Sequence, residues 1–196
     1  MDLSRAREIT RDNSTDDPGS FYGDARGLSL GMGLIIDKVE YPFFNHEEDR
    51  FSIRSGAVYV LSHECDLEPT NNRFLNGSAL VCPVLPIEAV LEEASNSEIS
   101  DNDLGAFLGA VASRKIARCV YLPPLSPNWN YGALVNLNLI VSTSVSRLEK
   151  GARIAAISGP ALYSIHNALS EHLMRAKSES LPHESGPWSR SRTIAR

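Results

Sequence analysis

Apolar residues along this chain fall into short continuous runs separated by turn signals, a pattern that predicts strands more than long helices. Leu34-Ile35-Ile36 opens the first run. Ala57-Val58-Tyr59-Val60-Leu61, bounded by Gly56 and Ser62-His63-Glu64, predicts a fully buried strand. Ala79 to Val84 predicts another, which should end, bulge or lie at an edge at Pro83, because proline cannot donate to a ladder. Ile116 to Leu122 forms a further run. Beyond the loop Pro123 to Asn130, apolar and polar residues alternate from Leu134 to Ile140, which predicts one buried and one wet face.

Helical spacing appears in three places. Ile87, Val90 and Leu91 follow Pro86, a residue favoured at a helix start. Ser100 or Asp101 can cap a helix with Leu104, Phe107, Leu108 and Val111 on one stripe. After Ser158-Gly159-Pro160, Leu162, Ile165, Leu169 and Leu173 share one face of a helix over 160–175. The polar ends read differently. Residues 1–27 predict a flexible lead-in and 177–196 a flexible tail, leaving one domain over 28–176 with helices inserted at about 86–113.

A chain of 196 residues suits one domain with a real core. Its net charge of −5 argues against a generally basic, nucleic-acid-coating surface. No apolar run is long enough for a membrane span, and the first twenty residues have no apolar core of a secretory signal. Three cysteines then read as reduced thiols in a cytoplasmic protein. No motif calls for a cofactor; Gly31-Met32-Gly33 lacks the following helix that phosphate cradling needs.

The densest chemistry is Ser62-His63-Glu64-Cys65-Asp66, where a buried strand meets a loop. Cys65 would serve as a nucleophile if His63, or His166 or His172 of the last helix, approached as a base. His63, Cys65 and Asp66, with Cys82 or Cys119, offer metal donors but lack paired zinc spacing. A structural turn, or a binding loop without catalysis, is the third reading. Binding accounts best for three titratable groups and a thiol in four consecutive residues. Phe43-Phe44 before the acidic run 47–49 is either an exposed contact loop or a turn anchored by one ring. Trp129 behind Pro123-Pro124 either faces a partner or stiffens its loop.

Taken in order, these pieces resemble the MazF/PemK toxin family of small SH3-like barrels. Gly56 to Ser62 takes the place of its early strand and Leu80 to Val84 that of its second. Leu139-Ile140-Val141, Arg147-Leu148, Arg153 to Ile157 and the final helix resemble its ending. The resemblance implies an α+β, mostly β fold: a partly open SH3-like barrel with inserted helices and a C-terminal helix. In that family an arginine before the first strand and a Thr or Ser after the second act on an RNA phosphate. The matching places here hold Gly56 and Leu85, neither of which can do so. Arg54, two residues earlier on the same side of a strand, is the candidate substitute.

What the resemblance implies is a diverged binding protein of a bacterial toxin–antitoxin or phage-defence system. Its partner would be a protein (an antitoxin or defence-complex subunit) or RNA, without membrane contact, and family habit implies a homodimer. The alternative is an enzyme: an RNA-cleaving toxin using Arg54, or a hydrolase using Cys65 with His63 and Asp66. The acidic balance favours a protein partner over extended RNA, which needs clustered cations. The expected working mouth joins 62–69, 43–50 and 123–130, with Ser62, Glu64, Phe44 and Trp129 as contact residues.

Overall fold

The structure, a computed structural model, describes residues 1–45, 48–68, 70, 77–97, 99–116 and 118–173. It is an α+β protein built on an open antiparallel sheet of eight strands, with a C-terminal helix. In chain order the elements are α1 (Leu3–Asn13), α2 (Pro18–Phe21), β1 (Tyr22–Gly23), β2 (Leu34–Asn45), β3 (Arg50–Val60) and α3 (Glu64–Leu67). Next come β4 (Ser78–Pro86), α4 (Ile87–Ser95), α5 (Asp101–Ala112), β5 (Cys119–Leu122) and β6 (Ala133–Asn136). The chain continues with β7 (Val141–Ser144), α6 (Val145–Lys150), β8 (Ala152–Ile157) and α7 (Gly159–Leu173).

The strands follow the order β1-β8-β2-β3-β4-β6-β5, and β7 pairs with β4. The order is set by where each strand changes partner. β4 pairs with β3 from Val81 to Pro83, then with β6 from Val84 to Pro86. The switch falls at Pro83, which has no N–H to give to a continuing ladder. β7, held to Ser78–Val81 of β4, curls back beside β2, where the Thr143 hydroxyl donates to the Glu40 carbonyl at 2.7 Å. That contact is a side-chain bond, and no ladder among the described strands closes the sheet into a barrel.

Two apolar layers clamp the β4–β6–β5 corner. On one side Val84, Val120, Leu122 and Val135 pack with Tyr59, Trp129 and Ile165 of α7. On the other, Tyr121 and Leu134 pack with Ile87 of α4, Leu104 and Leu108 of α5 and Ala6 of α1. Both faces of β6 are therefore covered, which corrects the half-wet strand that its alternation predicts. Regular β6 also stops at Asn136, short of Ile140.

The N-terminal expectation needs a larger correction. Within residues 1–27, α1 is capped by the Asp2 carboxylate, which accepts from the Arg5 N–H at 2.8 Å, and it buries Ala6 and Thr10. Its polar composition hid one narrow apolar seam, with Ala6 buried in the same core as α5 and Ile9 against Gly105 and Gly109 of α5. Small residues on both helices permit that close approach. The expected tail, 177–196, lies outside the described residues, as do His46 and Glu47 of the expected 43–50 loop.

Candidate binding groove

β2 and β3 form one long hairpin that the sequence pattern largely conceals. Tyr41 stands opposite Arg54, Phe43 opposite Ser52 and Val39 opposite Gly56. A bulge between Ile36 and Val39, with Lys38 at φ 58°, re-aims β2 there. The Arg54 guanidinium carbon lies 3.5 Å from the centre of the Phe43 ring, so an exposed cation is held over an aromatic face. Tyr41 is buried beside it; burial raises its phenol pKa and the Arg54 charge opposes that rise.

Where this hairpin meets the end of β4 lies a groove of about 450 Å³. Tyr41, Arg54 and Gly56 form one wall, Leu85 and Pro86 another, with Asn128 and Trp129 on the loop side and Asp37 and Ile154 completing it. Gly56 keeps the wall low: a Cβ there would meet only the Tyr41 hydroxyl, at 3.8 Å. Positions 56 and 85 thus share one groove with Arg54, but Gly56 and Leu85 bring neither a cation nor a hydroxyl to it.

The loop wall is rigid for a traceable reason. Leu125 and Trp129 exchange two backbone hydrogen bonds of 2.9 Å. The Trp129 indole N–H donates to the Pro123 carbonyl at 3.0 Å, and the Tyr22 hydroxyl donates to the same oxygen at 2.7 Å. Trp129 is 2% exposed, so it acts mainly as the core side of this wall, with Asn128 at the surface.

Along β3 the alternate residues Ala57, Ser55, Ile53 and Phe51 share one face. Ser55 and Ala57 line the groove, while Ile53 and Phe51 continue beyond it at 59% and 73% exposure. Across the hairpin Pro42 pairs with Ile53, and Phe44 meets Phe51 edge-on with ring centres 5.1 Å apart. An exposed apolar strip of this kind marks an interaction surface more often than a solvated one.

The Ser62–Asp66 cluster stands elsewhere. Gly56 and the end of β3 at Val60 are four strand steps apart, roughly 13 Å at 3.3 Å per residue, and the Ser62–Asp66 cluster follows beyond that end. The expected mouth of 62–69, 43–50 and 123–130 is therefore split, with 62–68 at the far end of β3. The cluster's own bonds are structural. The His63 Nδ1 accepts the Cys65 backbone N–H at 3.2 Å and caps α3. Ser62 ties the turn to β4, its hydroxyl accepting from the Leu80 N–H at 2.8 Å. Glu64 packs on Gly31, where a Cβ would come within 2.8 Å of the Glu64 Cβ. His63, Glu64, Cys65 and Asp66 are exposed, Cys82 and Cys119 lie in two separate cores, and none of the three thiols is in a disulfide. Burial pushes the Cys82 thiol up to about 12. Among the described residues no three His, Cys, Asp or Glu side chains gather as a metal site.

Arg54 and Trp129 are brought into one groove; His63, Cys65 and Asp66 are not. Asp37 and Tyr41 were missed in the sequence, whereas Asn128 falls within the expected 123–130 segment. The signal for Tyr41 was present: Val39, Tyr41 and Phe43 alternate at strand period, but Pro42 and the acidic run behind them read as loop. No helix among the described residues is long and apolar enough to cross a membrane. No protein-family model matches this chain, and no curated protein matches it.

Proposed function

We propose that this chain is a diverged MazF/PemK-like protein that holds a partner polypeptide and does not cut RNA. The reading takes the curled sheet, with β7 returning to β2 through Thr143, as a partly open SH3-like barrel. Its setting, a bacterial toxin–antitoxin or phage-defence system, is carried by the sequence resemblance alone. The observation that carries the function is the groove itself. It collects the two positions where a reacting cation and hydroxyl are expected, offers Gly56 and Leu85 there, and includes Ser55 and Ala57 of the β3 face that farther along exposes Ile53 and Phe51. A groove with one guanidinium, on a hairpin that exposes Ile53 and Phe51 on the face opposite Arg54, suits a polypeptide bearing apolar side chains and a carboxylate. Extended RNA would ask for several clustered cations.

Arg54 favours a second reading specifically. It lines the groove, is exposed, and is positioned by Phe43, as a relocated catalytic guanidinium would need to be. One experiment separates the two. The tagged chain is recovered from its native host alongside Ile53→Asp and Arg54→Ala, and each preparation is incubated with long single-stranded RNA. The proposal expects a stoichiometric co-purifying protein that Ile53→Asp loses, and RNA left at full length. RNA cleavage that disappears with Arg54→Ala would overturn it in favour of the nuclease.

A further inference from the structure

A second surface, sharing no residue with the groove, lies between α4 and α5. Val90, Ala94, Leu104 and Phe107 floor a cleft of about 430 Å³, with Ile99 beside it at 51% exposure. Its rim carries Glu93 and Asp103, both exposed. The charge bias extends through the whole segment: residues 86–113 contain Glu88, Glu92, Glu93, Glu98, Asp101 and Asp103, and no lysine or arginine. An apolar cleft with a uniformly acidic rim selects a basic segment that carries a large apolar side chain.

The chain contains one such segment. Residues 185–196, Ser-Gly-Pro-Trp-Ser-Arg-Ser-Arg-Thr-Ile-Ala-Arg, hold Arg190, Arg192 and Arg196, no acidic residue, and Trp188 and Ile194 as apolar groups. They lie beyond the described residues, which end at Leu173. Trp188 lies fifteen chain steps beyond Leu173, which at about 3.3 Å each can reach roughly 50 Å. A domain of this length has a radius of gyration of about 16 Å, so the reach covers any face of it. We propose that the α4–α5 cleft is the seat of the chain's own C-terminal segment, with Trp188 in the apolar floor and Arg190 and Arg192 against Glu93 and Asp103. Tethering sets the effective concentration of the segment on the order of 1 mM, so a contact with a Kd of about 0.1 mM leaves only about a tenth of it unseated.

The test uses the full chain carrying Trp129→Phe, which leaves Trp188 as its only tryptophan. Acrylamide quenching of Trp188 is expected to be about tenfold weaker than in a synthetic 185–196 peptide, given that occupancy. Glu93→Lys and Phe107→Ser should each restore peptide-like quenching while the circular dichroism of the fold is kept. Replacing Arg190 and Arg192 by Glu in a chain carrying both Glu93→Lys and Asp103→Lys should recover protection. Peptide-like quenching in the parent chain overturns the proposal. So does protection indifferent to Glu93 and Phe107, which places Trp188 elsewhere. Protection lost on dilution also overturns it, because the seat would then belong to a second copy.

Discussion

Replacing Trp129 by alanine removes the indole that backs the loop wall of the groove. The side chain is 2% exposed and packs in the main core with Tyr22, Leu122 and Leu125. Truncation of a buried tryptophan costs about 3–5 kcal/mol. With a urea slope of about 2 kcal/mol per molar, the unfolding midpoint should fall by about 1.5–2.5 M. The hydrogen bonds make a finer test. Trp129→Phe keeps a ring but deletes the N–H to Pro123, whose carbonyl still accepts from Tyr22 at 2.7 Å. The loss should be about 1 kcal/mol, as should that of Tyr22→Phe. Made together, the two changes leave the Pro123 carbonyl with neither donor, so the pair should cost about 1–2 kcal/mol more than the two single losses combined. Equilibrium urea unfolding followed by far-UV circular dichroism reads all four variants. A midpoint shift under about 0.5 M for Trp129→Ala would refute the claim that this side chain anchors the wall. Strict additivity in the double variant would refute the shared acceptor.

In the native protein a thiol reagent should modify Cys65 alone, with Cys82 and Cys119 reacting only after denaturant, because both are buried and burial raises both pKa values; peptide mapping after brief labelling decides it. Gly151→Ala should lower stability by about 1–3 kcal/mol through overpacking, since a Cβ there would sit 2.5 Å from the Ile36 Cγ2 and 2.8 Å from the Asp37 carbonyl; an unchanged urea midpoint would contradict this. Burial lowers the His166 pKa below its ordinary value near 6.5, so the unfolded chain binds the extra proton first. Its contribution is complete above pH 6.5 and falls as pH drops from 6.5 toward the folded pKa. Thermal midpoints across pH 5–7 should therefore fall less steeply in His166→Gln than in the parent.

The legible parts of the fold were those in which local signals agreed. Ser100 marks α5 because cap and stripe coincide there, and Pro86 ahead of the Ile87 stripe marks the start of α4, which has no side-chain cap. Pro83 drew attention because a missing N–H is a local fact, but β4 changes partner there and runs on to Pro86 instead of ending, bulging or lying at an edge. The outer half of the β2–β3 hairpin was hidden for the opposite reason. Its exposed strands bury little, so Phe51 and Ile53 among Arg50, Ser52 and Arg54 give no apolar run to read. Helix α1 depends on packing against Gly105 and Gly109, a tertiary contact that composition does not report. The candidate site divided along the same line. Arg54 could be tied to Gly56 by strand alternation, while Gly56 and Leu85 were paired only by the resemblance. The Cys65 cluster drew attention through its chemistry, while the His63 cap that occupies its imidazole exists only in the folded turn.

Hydrogen exchange of the complex with the co-purifying protein most directly tests where this chain does its work. Binding should slow exchange at amides within 51–57, 84–86 and 125–129, where hairpin, strand end and loop converge. The turn at 62–67 should exchange as it does in the isolated chain. Protection confined to 62–67, with the hairpin unchanged, would contradict the account and return the function to Cys65 and its neighbours.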